Sequence, residues 1–431
     1  MNKTVFESTR LHEHYEKYTH PSGLDIYIFP KKMQTTYAIL GTHYGSLHNS
    51  FRLENEPEMV TVPDGIAHFL EHKLFTNEDG SDSFERFSEY GADANAYTSF
   101  NKTAYLFSCT DRFEDSLAEL LEFVTHPFFE KKSVESEMGI ISEEIRMYDD
   151  TPSDRCFYGM LEAMYEHHSL RRNICGSCES IRKITPELLY RCYDCFYQLS
   201  NMALIVCGDV DAKTVLTIAD RHLPSSSKSV PVICVNENDN EPPHVFSAEH
   251  TEHMQVAKPL FSIGFKDTAI PKDPEVRLRK DAAMTILDEM LFARAGELYE
   301  SLFEREIISP SFSYGYTISD SFAYHSLSGE ADDPHLVLKE IRAYLEKKAK
   351  DGLSRADFER ARRVMYAEFV KSFDSTDNIA NNLLSFICEG NDLLHYADIL
   401  ADVTFDEVKV AFATAFCEEC TAISIVMPLK N

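Results

Sequence analysis

Two histidines in residues 64–75 have the spacing of metal ligands on a helix. The segment reads DGIAHFLEHKLF, and Asp64 can cap a helix that places His68 and His72, four residues apart, on one face. Glu71 lies one residue before His72 and completes the pattern H-x-x-E-H. A hydrolytic zinc site takes three protein ligands and leaves the fourth position to water. The sequence therefore predicts a zinc site whose third ligand comes from another segment.

A pair of glutamates in residues 135–150 can supply that ligand. Glu137 and Glu144 are two helical turns apart and therefore share one helix face. The helical periodicity of this stretch rests on its apolar residues Ile140, Ile141, Ile145 and Tyr148. We predict that Glu144 binds the metal and that Glu137 supports the site, by steering a ligand or by holding charge near it. Glu143 points off this face and is the weaker candidate.

Three C-x-x-C pairs form a competing pattern, and the spacing of the first two resembles a zinc ribbon. The pairs are Cys175/Cys178, Cys192/Cys195 and Cys417/Cys420. Cys192 and Cys195 fall within the amphipathic stretch PELLYRCYDCFYQL, where small apolar residues belong in the core. We therefore favour the histidine site and interpret all 11 cysteines as reduced thiols.

The elements that must position these residues recur in the two halves of the chain. Residues 184–210 and 403–429 each begin with a threonine before an acidic residue, continue as an amphipathic helix and end as an apolar strand. Residues 224–244 are rich in Pro, Ser, Asn and Asp, which indicates a linker. We predict an α+β fold of two homologous domains, residues 1–223 and 245–431, each a mainly antiparallel sheet with helices packed on one face.

The second half lacks a zinc motif. By the repeat, the histidine-bearing helix corresponds to residues 280–292, KDAAMTILDEMLF, which contain no histidine. We therefore predict one zinc ion per chain, in the N-terminal domain.

Composition restricts the partners. The formal net charge is −29, which argues against nucleic acid because phosphate contacts need a basic face. The sequence contains no run of 18 apolar residues, so it predicts no membrane span. Residues 1–20 lack the apolar core of a signal peptide, and we therefore expect a cytoplasmic protein. The acidic excess favours basic peptides if it lines a binding chamber, but it is equally typical of a solvated surface.

With these residues the chain resembles the pitrilysin/insulinase family of zinc metallopeptidases. The resemblance is carried by HFLEH at 68–72, by Glu144 with Glu137 before it, and by NAYTSFNKTAYLFS (95–108) and GSCESIRKIT (176–185). It covers nearly the whole chain, whose size is similar to the half-length processing-peptidase subgroup of bacteria and mitochondria.

The resemblance implies a zinc endopeptidase. His68, His72 and Glu144 would bind zinc, and Glu71 would take a proton from water and pass it to the leaving amine. Two chains would form a clamshell around an acidic chamber, in which a peptide binds as an added β-strand. The segment that matches the family's substrate-binding edge strand consists of Asn95, Ala96, Tyr97, Thr98 and Ser99.

One departure from the family concerns the second domain, which usually carries an Arg and a Tyr seven residues apart that grip the substrate. In the matching region, residues 298–316, the Arg position holds Phe303, with Arg305 nearby, and Tyr314 or Tyr316 fits only with a shifted spacing. The resemblance therefore implies the zinc-bearing subunit of a homodimer, or of a heterodimer whose homologous partner supplies the Arg/Tyr pair. The alternative is a non-catalytic or partner-dependent peptide-binding subunit.

Overall fold

Segments from both halves of the sequence contribute to each of two structural units. The computed structural model describes residues 2–226, 229–235 and 240–430. Unit 1 comprises Met1–Ile145, Asn173–Val235 and Val370–His395, and unit 2 comprises Arg146–Arg172, Asn236–Phe369 and Tyr396–Asn431. The units therefore exchange a segment each, and the predicted division at residues 224–244 stays a prediction about the sequence.

Strands and helices occur in runs along the chain. The strands are β1 (Lys3–Ser8), β2 (Glu13–Thr19), β3 (Asp25–Pro30), β4 (Thr36–Thr42), β5 (Ser50–Leu53), β6 (Val60–Thr61), β7 (Asp93–Thr98), β8 (Thr103–Cys109), β9 (Met202–Gly208), β10 (Val232–Cys234), β11 (Glu249–Met254), β12 (Leu260–Lys266), β13 (Ser313–Ile318), β14 (Ala323–Glu330) and β15 (Thr421–Pro428). The helices are α1 (Ile66–Leu74), α2 (Ser83–Tyr90), α3 (Phe113–Thr125), α4 (Lys131–Asp149), α5 (Pro152–Met164), α6 (Cys178–Ile181), α7 (Pro186–Phe196), α8 (Ala212–His222), α9 (Pro274–Phe292), α10 (Glu297–Glu304), α11 (Pro334–Asp351), α12 (Arg355–Lys371), α13 (Thr376–Cys388), α14 (Leu393–Asp402) and α15 (Phe405–Ala415).

The same five-strand topology occurs in both units, where β3-β9-β4-β8-β7 corresponds to β11-β15-β12-β14-β13, which confirms the predicted α+β repeat. The sheet of unit 1 has the order β1-β2-β3-β9-β4-β8-β7, and that of unit 2 has the order β11-β15-β12-β14-β13. In each sheet one pair is parallel, β3 with β9 and β11 with β15, and the other pairs are antiparallel. The predicted helix–strand repeat corresponds to α7 with β9 and α15 with β15.

A helix from the opposite half of the sequence packs on each sheet. In unit 1, α13 lies against β4 and β9, which are buried along their whole length. In unit 2, α5 lies against β11, β12 and β15. None of the helices in the described ranges is long and apolar enough to cross a membrane.

The predicted linker contains ordered contacts where the structure describes it. Its residues 227–228 and 236–239 lie outside the described residues. Within unit 1, Val232–Cys234 pairs with Ser50–Leu53. Within unit 2, the carboxylate of Glu241 accepts hydrogen bonds from three consecutive backbone N–H groups, of residues 166–168.

One expectation about the cysteines is wrong. Cys417 and Cys420 form a disulfide, so these two are not reduced thiols. Their α-carbons lie 5.2 Å apart in the turn between α15 and β15, a separation that a disulfide can span.

Candidate metal centre

Helix α1, which carries the two histidines, is largely buried. Its apolar residues Ile66, Phe69, Leu70 and Leu74 are buried, which fixes the orientation of the opposite face. The rings of His68 and His72 lie 4.6 Å apart, as the four-residue spacing predicts. Asp64 was expected to cap this helix, but the N-cap residue is Gly65, and no side chain caps the helix. The carboxylate of Asp64 instead accepts a hydrogen bond from Asn49.

Helix α4 brings the predicted glutamates to these histidines. The Oε1 atom of Glu144 lies 3.6 Å from Nε2 of His68, and its Oε2 atom lies 3.4 Å from Nε2 of His72. Glu137 contacts the other ring nitrogen of His72, with Oε1 at 3.2 Å from Nδ1. The structure therefore brings together all four residues, with Glu144 between the histidines and Glu137 behind His72.

A cysteine joins this cluster that the sequence analysis did not assign to it. The Sγ atom of Cys175 lies 3.8 Å from Nε2 of His68. In the described part of the chain, the group of His, Cys, Asp or Glu residues whose ligand atoms all lie within 4.8 Å of one another is His68, Glu144 and Cys175. The competing zinc-ribbon interpretation receives no support, because no cluster of four cysteines occurs among the described residues.

Burial and charge shift the pKa values of the cluster in different directions. Burial lowers the pKa of His68 to about 4 and raises that of Glu71 to about 7. Burial also disfavours the charged form of His72, but hydrogen bonds with Glu137 and Glu144 outweigh it and raise the pKa to about 10. His72 is therefore protonated at neutral pH, and it would have to release that proton in order to ligate a metal.

Glu71 connects the cluster to the edge of the sheet. Its side chain is buried, and the hydroxyl of Thr98 donates to Oε2 of Glu71 at 2.6 Å. Thr98 is the last residue of β7, which pairs with β8 and forms one edge of its sheet. The predicted general base is therefore fixed at the end of an edge strand.

Four of the five predicted substrate-binding residues lie on that strand. Asn95, Ala96, Tyr97 and Thr98 belong to β7 and are at least partly exposed. The side chain of Asn95 accepts a hydrogen bond from the N–H of Ala96. Ser99 was expected on the strand but lies in the following turn, where its N–H and C=O groups bond to Lys102 and Ser46. An added strand can therefore extend only along the residues before it.

Comparison with known proteins identifies the family. Residues 60–177 match the family Insulinase (Peptidase family M16), and residues 183–365 match the Peptidase M16 inactive domain. The chain is 37% identical to the uncharacterized zinc protease YmfH of Bacillus subtilis (strain 168) over 94% of this chain and 95% of the relative. The chain belongs to the insulinase family, M16.

Solved structures agree with this M16 assignment. The fold matches an M16-like peptidase from Alicyclobacillus acidocaldarius with a TM-score of 0.93 and 31% identity, over 98% of this chain and 100% of that one. A protease from Helicobacter pylori shares the fold at a TM-score of 0.81 and 19% identity, over 96% and 100% of the two chains. The family predicted from the motifs is therefore confirmed. His68, Glu71, His72, Glu137 and Glu144 all fall within the N-terminal M16 match.

Residues 298–316, the region of this M16 chain that was compared with the family's Arg/Tyr pair, lie in unit 2, and the arginine and the two tyrosines considered there have partners within that unit. The guanidinium of Arg305 contacts Glu340 at 2.6 Å. The hydroxyl of Tyr314 donates to Glu289 at 2.6 Å. The side chain of Phe303 is half exposed at the end of α10. Tyr316 likewise donates to a carboxylate, that of Asp267 at 2.8 Å.

Proposed function

We propose that the chain is a zinc-dependent endopeptidase. The observation that supports this most strongly is the convergence of two imidazoles and a carboxylate next to a buried glutamate at the end of an edge strand. Relatives that cover 94% and 81% of this chain are named zinc proteases, which is consistent with the same chemistry.

The donor atoms fit zinc. A four-coordinate zinc with ligand bonds of about 2.0–2.1 Å keeps its nitrogen and oxygen ligands about 3.3–3.4 Å apart. The two observed separations from Glu144 to the histidines are 3.6 Å from Oε1 to His68 and 3.4 Å from Oε2 to His72, so each histidine faces its own carboxylate oxygen, and His72 lies outside the described group of ligand atoms within 4.8 Å of one another. In addition, Nδ1 of His68 is buried without a hydrogen-bond partner, which leaves the ring oriented by packing with Nε2 toward the cluster. We assign His68, His72 and Glu144 as ligands of one zinc ion, which when bound supplies a Lewis acid for the scissile carbonyl.

Glu71 is the general base in this proposal. It takes a proton from the attacking water and passes it to the leaving amine. Burial raises the pKa of Glu71 to about 7, and the charge of a bound zinc ion would lower it toward the carboxylate form that a base needs. Thr98 orients the carboxylate through the hydrogen bond to Oε2. Glu137 holds His72 from behind and so directs its Nε2 toward Glu144.

The substrate is a peptide that adds to β7 as a further strand. Strand addition recognises the backbone, so many sequences can bind. The net charge of −29 favours basic peptides among them. The end of such a strand beside Thr98 lies next to Glu71, which places peptide bonds near the proposed base. The proposed cytoplasmic location follows only from the sequence.

The second proposal concerns a partner chain. Arg305 and the two tyrosines are engaged within unit 2, and Phe303 occupies the matching Arg position. This favours a dimer in which a homologous subunit completes substrate binding. The alternative function, a partner-dependent or non-catalytic peptide-binding subunit, follows from the same observation.

Glu71→Gln tests the catalytic proposal. We expect the variant to keep one zinc ion per chain, since Glu71 is not a ligand, and to lose at least about 100-fold in cleavage of a basic peptide library. Glu143→Gln is the matched control, because Glu143 is exposed on α4 beside Glu144. Zinc content is measured by mass spectrometry, and peptide cleavage is measured over a range of chain concentrations.

Three results are decisive. Cleavage per chain that rises with concentration supports the dimer. Zinc binding without cleavage at any concentration, alone or with co-purified proteins, favours the non-catalytic alternative. Absence of zinc from the wild-type chain contradicts the whole proposal.

A further inference from the structure

The thiol of Cys175 lies among the proposed ligands, and the mechanism above does not use it. Cys175 is 5% exposed, and its sulfur faces Nε2 of His68, the nitrogen that also faces Glu144. We propose that Cys175 is a further, thiolate ligand of the metal centre in the substrate-free protein. This inference rests on the proposed function, because it adds a ligand to the same site.

The separation of the ligand atoms supports the assignment. A zinc ion with a sulfur ligand at about 2.3 Å and a nitrogen ligand at about 2.0–2.1 Å keeps those atoms about 3.5–3.6 Å apart. The observed distance from Sγ of Cys175 to Nε2 of His68 is 3.8 Å. The ligand atoms of Cys175, His68 and Glu144 all lie within 4.8 Å of one another, so the sulfur can reach an ion held by His68 and Glu144; His72 is not part of this group in the described residues.

The backbone holds the sulfur in this place. Gly65, just before α1, and Gly176 both have positive φ. A Cβ atom on Gly65 would lie 2.4 Å from the carbonyl oxygen of Cys175, and a Cβ atom on Gly176 would lie 2.4 Å from the carbonyl oxygen of Asp64. The hydroxyl of Ser180 also donates to the carbonyl of Asp64 at 2.7 Å. The cysteine loop and the histidine helix are therefore in direct backbone contact, which fixes Cys175 relative to His68.

A second cysteine in the same segment lies outside the ligand cluster, so the proposal depends on the position of Cys175 and not on the number of cysteines nearby. Cys178 lies three residues further on, at the start of α6, and its sulfur is 3.8 Å from the backbone carbonyl of Ser142. It does not belong to the ligand cluster in the described residues. Cys178 therefore provides a matched control.

The thiolate changes the chemistry of the site. On binding, the thiol releases its proton to solvent and forms one metal–sulfur bond. Three protein ligands leave one position for water, so a fourth protein ligand competes with water for that position. A thiolate also favours zinc, cadmium and cobalt over magnesium and manganese. While bound, the thiolate of Cys175 would hold the position that water takes in the proposed reaction; when water replaces it, the metal–sulfur bond would break and the thiolate would take up a proton from solvent.

Metal spectroscopy on the wild-type chain tests this directly. With cobalt in place of zinc, we expect a sulfur-to-cobalt charge-transfer band in the near ultraviolet, and with zinc, an X-ray absorption spectrum with one sulfur neighbour at about 2.3 Å. Cys175→Ser should lose the band and bind metal at least about 10-fold more weakly, the loss typical even of groups that only support a ligand. Cys178→Ser should keep both properties.

The outcomes separate this inference from the proposed function. If cobalt binds one per chain without a sulfur band, Cys175 is not a ligand, while the site of His68, His72 and Glu144 stands. If the band persists in Cys175→Ser, another thiol supplies it and the inference is wrong. If neither metal binds the wild-type chain, both proposals fail. The wild-type spectra decide these points even if a variant does not fold.

Discussion

At the scale of single residues, His72 is held by carboxylates on both ring nitrogens. Glu137 contacts Nδ1 and Glu144 contacts Nε2, at 3.2 and 3.4 Å. Glu137 itself is held by the ammonium group of Lys73, which is 1% exposed and lies 3.7 Å from Oε2. His72 and Lys73 together lower the pKa of Glu137 against the effect of its burial. Glu137 is therefore charged, and in the proposed site it would act on the metal through His72.

Glu137→Gln should weaken zinc binding without removing the site. The amide can still contact Nδ1 but carries no charge to support the imidazole, and loss of such a supporting group typically costs about 10–100-fold in metal affinity. Zinc affinity is measured by competition with a chelator. Glu135→Gln, on the exposed face of α4, is the control and should leave the affinity unchanged. Equal affinities of wild type and Glu137→Gln would contradict a positioning role for Glu137.

Residue spacing predicted part of this site and could not have predicted the rest. His68, His72, Glu137 and Glu144 follow helical periods, which local sequence encodes directly. Cys175 lies 107 positions after His68, and its proposed role depends on a close backbone approach that no sequence period reports. The one signal in the sequence was its place beside Gly176 in a segment already recognised as a family landmark. Ser99 was misplaced for a similar reason, because the turn after β7 takes both its backbone groups.

At the scale of elements, the start of α1 and the loop before α6 depend on glycine. Gly65 has φ 89°, in the left-handed region that L residues rarely adopt, and the carbonyl of Cys175 occupies the space of a Cβ atom. The centre thus requires glycine for two independent reasons, conformation and space. Gly91, which ends α2, has φ 71° but no atom within 4 Å of its Cβ position.

Gly65→Ala should therefore cost more stability than Gly91→Ala. The left-handed conformation alone costs about 1–2 kcal/mol for a residue with a side chain. We expect Gly91→Ala to lower the free energy of unfolding by about 1 kcal/mol and Gly65→Ala to lower it by about 3 kcal/mol or more, because the backbone at Cys175 must also move in the second variant. Urea unfolding measures both, and metal titration should show weaker binding for Gly65→Ala only. Similar losses for the two variants would show that close contact at Gly65 is unimportant.

The elements themselves were largely predictable, but their exchange between the units was not. The amphipathic helix and apolar strand of each half are local patterns, and α7–β9 and α15–β15 reproduce them. The partner of β4 is not local: a Cβ atom on Gly41 would lie 2.6 Å from the side chain of Leu384 in α13. That contact joins residues more than 300 positions apart, and it rests on shape complementarity that periodicity does not report.

At the scale of the whole molecule, acidic groups dominate the charge. The formal net charge is −29 at pH 7, and the isoelectric point is about 4.9. Repulsion between these groups opposes the folded state, and acidification from pH 7 toward the isoelectric point relieves it. Carboxylates bonded in the folded state have the opposite effect, because they must be protonated as the pH falls further. The stability of the protein in acid therefore reflects a few anchored groups.

Glu241 is such a group, and Glu241→Gln should reduce the dependence of stability on acid pH. Its carboxylate accepts from three backbone N–H groups and contacts the buried ammonium of Lys266 at 2.6 Å, and despite its burial these bonds lower its pKa. The unfolded chain has a glutamate pKa of about 4.3. The stabilisation is therefore complete above that value and is lost as the pH falls through the lower folded pKa.

The Glu241 variant leaves the charge of Lys266 without its carboxylate, which should cost about 3 kcal/mol at pH 7. Because the amide does not titrate, the difference between wild type and variant should shrink as the pH falls from about 4.3 to 3. Urea unfolding of both proteins across pH 3–7 measures that difference, with Glu300→Gln on the exposed side of α10 as the control. A difference that stays constant over this range would show that Glu241 binds its proton equally in both states, contrary to its bonded position.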